Sequence, residues 1–241
     1  MAYGFTAASM YLKRTASLPN FTNWTISFWF KAISFPAQTL HALYERGASV
    51  GGRSTDLFIL DSTKRMTIAS SDGANSTNGT IIVAGVWYHV FVTKRGTSAN
   101  VYVNGKREAF SPFTLNADNA AGDKLTLGIY DDETSFPFTG RIAHFKHWDN
   151  VVLGLDDAGW EMTSVLPKNT LGLYMWTPLR FNAKDVSGRA SDWTVAGSPQ
   201  TLADEPRIPW DADEEAARRV RTSVRPFIRT APEIFLYPGE T

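Results

Sequence analysis

The chain has 241 residues, no cysteine, and equal numbers of basic and acidic residues, 24 of each. The missing cysteines exclude disulfides, thiolate metal sites and cysteine nucleophiles. The zero net charge gives no overall field that would attract nucleic acid or a membrane surface, and no run approaches the roughly 18 apolar residues of a membrane span. Residues 1–6 lack a basic segment followed by an apolar one, so we expect no secretory signal.

Candidate strands begin early and recur to about residue 197. In residues 25–31, Ile26, Phe28 and Phe30 fall on one face, and Trp29 interrupts the polar face, which indicates that this second face is partly covered. Further strands are predicted at residues 57–60, 66–69 and 81–83, the first two forming a hairpin around residues 61–64.

The middle of the chain carries a clear hairpin signal. Residues 87–93 and 101–103 alternate, and the second run leads into Asn104-Gly105. Asn-Gly is typical of a type I′ turn, because both central residues of that turn need positive φ. The pattern predicts antiparallel β-structure.

The later segments continue the β pattern. We predict strands at residues 125–130, 140–148, 171–176 and 192–195, and one short turn of helix at 155–161. Many short strands with few helices indicate a sandwich or a barrel. The composition changes near residue 205, where prolines become frequent, so residues 211–241 are predicted to be a separate C-terminal arm.

Six segments occur in an order that is typical of a known family: residues 25–31, 87–90, 101–105, 127–128, 138–142 and 185–194. The set resembles the concanavalin A-like jelly rolls of the laminin-G-like class, and the resemblance covers about residues 1–210. It implies a two-sheet antiparallel sandwich. Where members often carry acidic residues after the Phe138–Gly140–Ile142 strand start, this chain has Ala143, His144 and Phe145.

The fold class also contains glucanases, so catalysis has to be considered. Related enzymes present their acids as Glu-x-Asp-x-Glu on one strand face, since alternate residues share a face. The comparable spacing here is Asp211, Asp213 and Glu215, which lies in the arm before Ala-Ala-Arg-Arg. That charge order is typical of a helix start. We therefore predict no catalytic residues.

The histidines and loop acids are the candidate metal ligands. His144 and His147 lie three apart on a strand and point to opposite faces, so they are predicted to be surface or interface residues, not a metal site. The resemblance implies calcium binding at loop rims, where Asp131 and Asp132 are the candidates. Solvated loop acids are the favoured alternative, because calcium needs six or more oxygen ligands. The preceding loop adds Asn116, Asp118, Asn119 and Asp123.

The aromatic residues allow two interpretations. Tyr130 and Phe136, together with the same Asp131 and Asp132, are the predicted rim contacts for a glycan. The tryptophans of the apolar strands are instead assigned to the core: Trp29, Trp87 and Trp176. Trp148 and Trp193 are left unassigned.

The arm contains both charged and apolar residues. As a nucleic-acid tail it is weak, because acids flank the arginines and aromatic residues are scarce. As a docking arm it is plausible, since its apolar side chains cannot bury themselves in isolation, and residues 234–237 could add a strand to a sheet edge. The predicted docking residues are Arg218, Arg219, Arg221, Arg225, Phe227, Arg229, Ile234, Phe235 and Tyr237.

These observations predict a non-enzymatic, lectin-like binding module. Cysteine-free lectin-like sandwiches without secretion signals resemble those on bacteriophage virions, which implies a capsid decoration or tail-associated adhesin anchored by the arm. Its partners would be other structural subunits, surface glycans, and in a homo-oligomer further copies of itself. The alternatives are a free carbohydrate-binding lectin, with or without calcium, and a polysaccharide-cleaving enzyme.

Overall fold

A computed structural model describes residues 2–7, 9–15, 22–47, 53–60, 62–69, 76, 78–115, 124–180, 182–189, 191–198, 200–202, 204–206 and 208. The predicted arm, residues 211–241, with all its docking residues and the acids at positions 211, 213 and 215, lies outside this range. The loop acids between residues 116 and 123 also lie outside it.

Fifteen strands and one helix make up the described chain. They are β1 (Ala2–Phe5), β2 (Tyr11–Thr15), β3 (Asn23–Ala32), β4 (Leu40–Gly47), β5 (Arg53–Leu60), β6 (Arg65–Ala69), β7 (Trp87–Arg95), β8 (Ser98–Val103), β9 (Lys106–Arg107), β10 (Phe113–Thr114), β11 (Lys124–Leu127), β12 (Gly140–Asp149), α1 (Leu155–Thr163), β13 (Leu173–Thr177), β14 (Thr194–Ala196) and β15 (Gln200–Leu202).

The strands form two antiparallel sheets. The nine-stranded sheet has the order β10-β8-β7-β3-β12-β1-β15, with β13 beside β12 and β9 beside β8, and the six-stranded sheet has the order β14-β2-β11-β4-β5-β6. The late strands therefore complete sheets begun by early ones: β14 pairs with β2, and β15 pairs with β1. This confirms the predicted two-sheet antiparallel jelly-roll sandwich.

The main core lies between the sheets and follows the alternation read from the sequence. Ile26, Phe28 and Phe30 of β3 are completely buried, as the pattern predicted. The Phe145 ring of β12 packs 6.1 Å from Phe28 and 6.1 Å from Tyr44 of the facing sheet, measured between ring centroids. Each such side chain contributes about 1.5–3 kcal/mol when removed from water, so this aromatic layer holds the two sheets together.

The Asn-Gly turn is confirmed, whereas the segment at residues 81–83 and helix α1 differ from prediction. Asn104 and Gly105 have φ values of 50° and 74°, as a type I′ turn requires. Residues 81–83 do not form the predicted strand: they contribute one bridge, between Ile81 and Arg65, because the N–H of Val83 donates to the hydroxyl of Tyr88 instead of to a strand. Helix α1 has nine residues, longer than the predicted single turn.

Both histidines of β12 are buried, which contradicts their predicted position at the surface. The register with β3 shifts between Ala143 and Lys146, and His144 has a φ of 54°. His144 is 2% exposed and His147 is fully buried. The prediction failed because sequence alternation says which face a residue points to, but not whether that face is covered.

The three predicted core tryptophans are not the ones that fill the core. Trp29 and Trp176 are only partly buried, as is Trp87, whereas Trp148 and Trp193 are buried. Trp193 lies between the sheets against Phe145, with 5.3 Å between ring centroids. Trp29 points away from the core because its neighbours in β3 point inward.

Burial of three histidines predicts a loss of stability in mild acid. Burial lowers the pKa of His89 to about 3, and the positive charge of Lys146 adds to this effect. Burial likewise lowers the pKa of His147 to about 3, with smaller contributions from Arg46 and Arg14. Burial also lowers the pKa of His144, helped by Lys146 and Arg180. The unfolded chain protonates these histidines near pH 6.5 while the folded chain does not, so stability is lost as the pH falls below 6.5.

We expect the free energy of unfolding to be insensitive to these groups above pH 6.5. Below it, the slope should approach about 4 kcal/mol per pH unit for the three histidines. Denaturant titrations between pH 7.5 and about pH 5 test this, since ordinary carboxylates titrate mostly below that window. A free energy of unfolding that stays constant across the window would contradict the prediction.

Candidate functional site

Two outer surfaces of the sandwich carry candidate binding residues. The first is the outer face of the six-stranded sheet, which the 128–137 loop covers. The loop leaves β11 at Gly128, whose N–H donates to the carbonyl of Leu43 at 3.1 Å. It returns at Phe136, whose carbonyl accepts from the N–H of Ala42 at 2.9 Å. The loop therefore lies across the sheet instead of extending into solvent.

Glu133 fixes this loop to the sheet. Its carboxylate accepts hydrogen bonds from the Tyr11 hydroxyl at 2.6 Å and the Lys13 ammonium at 2.7 Å, and it pairs with Lys124 at 2.6 Å. Burial opposes ionisation of Glu133, but these hydrogen bonds outweigh it and lower its pKa to about 2. The same carboxylate raises the pKa of Tyr11 to about 12.

The four predicted glycan contacts all belong to this loop. Tyr130 is 6% exposed, and its ring packs 5.4 Å from Phe136 and 5.9 Å from Phe58, between centroids. The carboxylate of Asp132 accepts hydrogen bonds from the N–H groups of Thr134 and Ser135 in the loop itself. The carbonyl of Asp131 accepts from Lys124.

The loop therefore brings its two aromatic rings together and uses most of its polar groups internally. No group of three or more potential metal-ligating side chains occurs among the residues that the structure describes. Calcium binding by Asp131 and Asp132, and glycan contact by these four residues, stay predictions.

The second surface is a groove on the outer face of the nine-stranded sheet. Its floor is the hairpin of β7 and β8, where the side chains of three alternate cross-strand pairs point outward: Phe91 with Tyr102, Thr93 with Asn100, and Arg95 with Ser98. The open groove has a volume of about 340 Å³. It is lined by Thr93, Arg95, Ser98, Asn100, Tyr102, Val152 and Leu153.

The wall of this hairpin groove comes from the segment between β12 and α1. Thr25 on β3 holds that segment with one hydroxyl, which donates to the carbonyl of Val151 at 2.8 Å and accepts from the N–H of Leu153 at 3.1 Å. Leu153 is buried in a small cluster with Phe91, against which Tyr102 packs. Floor and wall are thus parts of one packed unit, which favours a preformed site.

The groove combines hydrogen-bonding groups with one aromatic ring. Hydroxyl, amide and guanidinium groups line it, and Tyr102 is partly exposed with its ring set at 66° to that of Phe91. The lining contains no carboxylate. The sequence analysis missed this site: alternation could have placed the floor residues on one face, but nothing in the sequence brings Val152 and Leu153 beside them.

Ion pairs and a hydrogen bond attach the last described residues to the nine-stranded sheet. The carboxylate of Asp204 pairs with Lys31 and Arg141 and accepts from the indole N–H of Trp87 at 3.2 Å. Glu205 pairs with Arg180 at 3.0 Å. These contacts fix the chain just before the arm begins.

A family model of the concanavalin A-like lectin/glucanases superfamily, of the laminin-G type, matches residues 6–154. Because the match covers more than half of the sequence, the chain belongs to this family. No curated protein matches it. In the described part of the chain, no helix has the length and apolar character needed to cross a bilayer.

Three solved structures share the fold. A candidate carbohydrate-binding protein of Bacteroides ovatus has 19% identity and a TM-score of 0.63, over 86% of this chain and 61% of that one. A heptameric SAP-like pentraxin of Limulus polyphemus has 14% identity and a TM-score of 0.57, over 83% and 92% of the two chains. Domain 4 of the Geobacillus stearothermophilus arabinanase AbnA, in complex with arabinotriose, has 16% identity and a TM-score of 0.52, over 66% of this chain and 75% of that one.

The anchoring role of Glu133 predicts the effect of its replacement. Glu133→Gln removes the charge that Lys13, Lys124 and Tyr11 share, so we expect a loss of about 1–3 kcal/mol of unfolding free energy near neutral pH. The difference should shrink below pH 4.5, where unfolded glutamate is protonated and the wild-type advantage fades. Denaturant titration of both proteins measures it.

Asp131→Asn is the matched control, because it removes a charge from the same loop without breaking a side-chain contact described here. We expect its stability to change by less than about 0.5 kcal/mol. Equal losses in the two variants would mean that loop charge, and not the Glu133 contacts, is responsible.

Proposed function

We propose that this chain is a non-enzymatic, glycan-binding, lectin-like module, displayed on a virion surface and anchored there by its C-terminal arm. The observation that carries the glycan part is the preformed hairpin groove on a sandwich of the concanavalin A-like family. Two proteins of similar fold support this proposal. The one from Bacteroides ovatus is a candidate carbohydrate-binding protein, and the arabinanase domain was solved in complex with arabinotriose.

The chemistry of the groove suits a saccharide. A sugar ring presents hydroxyl groups around its edge and a less polar face of C–H bonds. Asn100 offers both a donor and an acceptor, and the hydroxyls of Thr93 and Ser98 can do either. The partly exposed ring of Tyr102 supplies a flat apolar surface with a polar end. Binding pockets commonly combine such surfaces with a few convergent polar groups.

The same lining supports a binding role over hydrolysis. Glycoside hydrolysis ordinarily needs two carboxyl groups, one as acid and one as base or nucleophile. The seven residues of the groove include neither aspartate nor glutamate. A saccharide bound there would meet hydrogen-bonding groups but no general acid, so we propose that it leaves unchanged.

The second candidate function is a free, calcium-dependent lectin that uses the 128–137 loop. Two non-glycine residues in this loop, Glu133 and Phe136, have positive φ values of 61° and 51°. Such backbone conformations cost energy and persist only where surrounding contacts hold them. They keep the loop a candidate site, with Tyr130, Asp131, Asp132 and Phe136 as its contacts.

The anchoring part of the proposal rests on the arm. Asp204 and Glu205 fix the chain to the sandwich shortly before the arm in the sequence. The five arginines and apolar residues of the arm would then contact a neighbouring structural subunit, whose acids and sheet edge would accept them. The proposed placement on a bacteriophage head or tail rests on the resemblance of cysteine-free, lectin-like sandwiches without secretion signals to those on bacteriophage virions.

A glycan array of the full-length chain tests the binding function. We expect saccharide binding that persists in the presence of a chelator and leaves the bound saccharide uncleaved. Asn100→Ala should weaken binding about two- to tenfold, as expected for one hydrogen bond. Asp131→Asn, in the loop, should leave affinity unchanged. Titration calorimetry with the best array saccharide measures both.

The outcomes separate the candidates. Binding that the chelator abolishes and Asp131→Asn weakens, with Asn100→Ala unaffected, would assign the site to the loop. An array without any bound saccharide would remove the glycan-binding function. Release of cleaved product would make the protein an enzyme.

Deletion of residues 211–241 tests the anchor. Because the family resemblance places the whole sandwich within about residues 1–210, we expect the truncated chain to keep its thermal midpoint within a few degrees. We also expect it to be lost from purified particles assembled in cells that express it in place of the full chain. Full incorporation of the truncated chain would contradict the anchoring role.

A further inference from the structure

We infer that the hairpin groove selects acidic saccharides, and that the Arg95 guanidinium is the residue that selects them by pairing with a sugar carboxylate. This inference rests on the proposed glycan-binding function and adds the ligand class and the specificity residue.

The charge of the groove is the first argument. Among its seven lining residues, Arg95 is the single charged one. The whole chain has no net charge, so an anion would be attracted by this local charge and not by an overall field. The hydroxyl groups of a neutral saccharide can accept single hydrogen bonds from the arginine, whereas a carboxylate can accept two parallel hydrogen bonds and also pairs with its charge.

The second argument is that Arg95, unlike the other arginines near this face, has no ion pair within the described part of the chain. Arg141 pairs with Asp204, and Arg180 pairs with Glu205. Arg95 is exposed and makes no ion pair with any residue that the structure describes. Its side chain lines the groove, while its backbone is fixed by pairing with Asn23 on β3 and with Ser98 on β8.

The third argument is the rigidity of the groove at this end. The amide of Asn23 joins the hairpin to the wall: its oxygen accepts from the N–H of Gly96 at 3.1 Å, and its nitrogen donates to Asn150 at 3.4 Å. The backbone that carries Arg95 is therefore held against the segment leading to Val152. A fixed backbone reduces the entropy lost when the side chain binds an anion.

The spacing of the floor residues indicates the length of the ligand. Tyr102 pairs with Phe91, which precedes Arg95 by four residues on β7. Each residue advances about 3.3 Å along a strand, so Tyr102 and Arg95 lie about 13 Å apart along the strands at the backbone. This separation exceeds a single sugar ring. We therefore expect a short oligosaccharide, with one ring against Tyr102 and an acidic sugar at Arg95.

Paired probes test the inference with the full-length chain. We would titrate uronate-containing and sialylated oligosaccharides, each against its carboxyl-methyl ester, and include sulfated oligosaccharides as a second anion. We expect at least one acid to bind about tenfold or more tighter than its ester, with chelator present, as expected for a charge-assisted hydrogen-bond pair. Added salt should reduce this preference.

Variants assign the preference to Arg95. Arg95→Gln should remove the difference between acid and ester, and Arg95→Lys should keep part of it. Arg189→Gln is the matched control, because Arg189 is an exposed arginine outside the groove lining. It should keep the full preference.

Each remaining result overturns the inference. If every acid and its ester bind equally, or if Arg95→Gln keeps the preference, the groove does not select acids through Arg95, but glycan binding itself stands. A preference for sulfated probes alone would exclude the carboxylate. Failure of all probes together with an empty glycan array would remove the proposed function as well.

Discussion

Both faces of the central strands β3 and β12 are covered, and this constraint shapes the rest of the structure. On the inner side they meet the facing sheet through Phe28 and Phe145. On the outer side α1 covers β12, so the ammonium of Lys146 is fully buried and pairs with Glu161 of the helix, while the segment before α1 covers Thr25 of β3. A lone buried charge would cost several kcal/mol, so the helix position and this ion pair depend on each other.

The same cover decides where a ligand can bind. The helix and the segment before it protect the middle of the nine-stranded sheet, but the β7–β8 hairpin continues beyond them. At that border the segment containing Leu153 forms a wall and the hairpin a floor, which leaves the groove. The six-stranded sheet is closed differently: Glu133 holds a loop across its outer face. The sandwich therefore has one covered outer face and one face with an open edge groove.

The elements that sequence reasoning predicted correctly depend on local rules. Asn104-Gly105 forms its turn because few other residues accept two positive φ values in succession. The alternation in β3 placed Ile26, Phe28 and Phe30 in the core, since side chains alternate faces on any strand. Trp29 was assigned wrongly because apolar character was read as core. The predicted exposure of His144 was wrong because no local sequence pattern indicates the bulge in β12 or the segments that cover this strand.

The sequence by itself determined the antiparallel sandwich, its strand faces and its main turn, because these follow from side-chain period and backbone preference within a few residues. The tertiary structure alone decided which outer surfaces are covered, since that depends on segments far apart in the chain. Arg95 and Val152 are 57 positions apart by their numbers. They line one groove only because the packing of α1 against the sheet carries the wall to the hairpin.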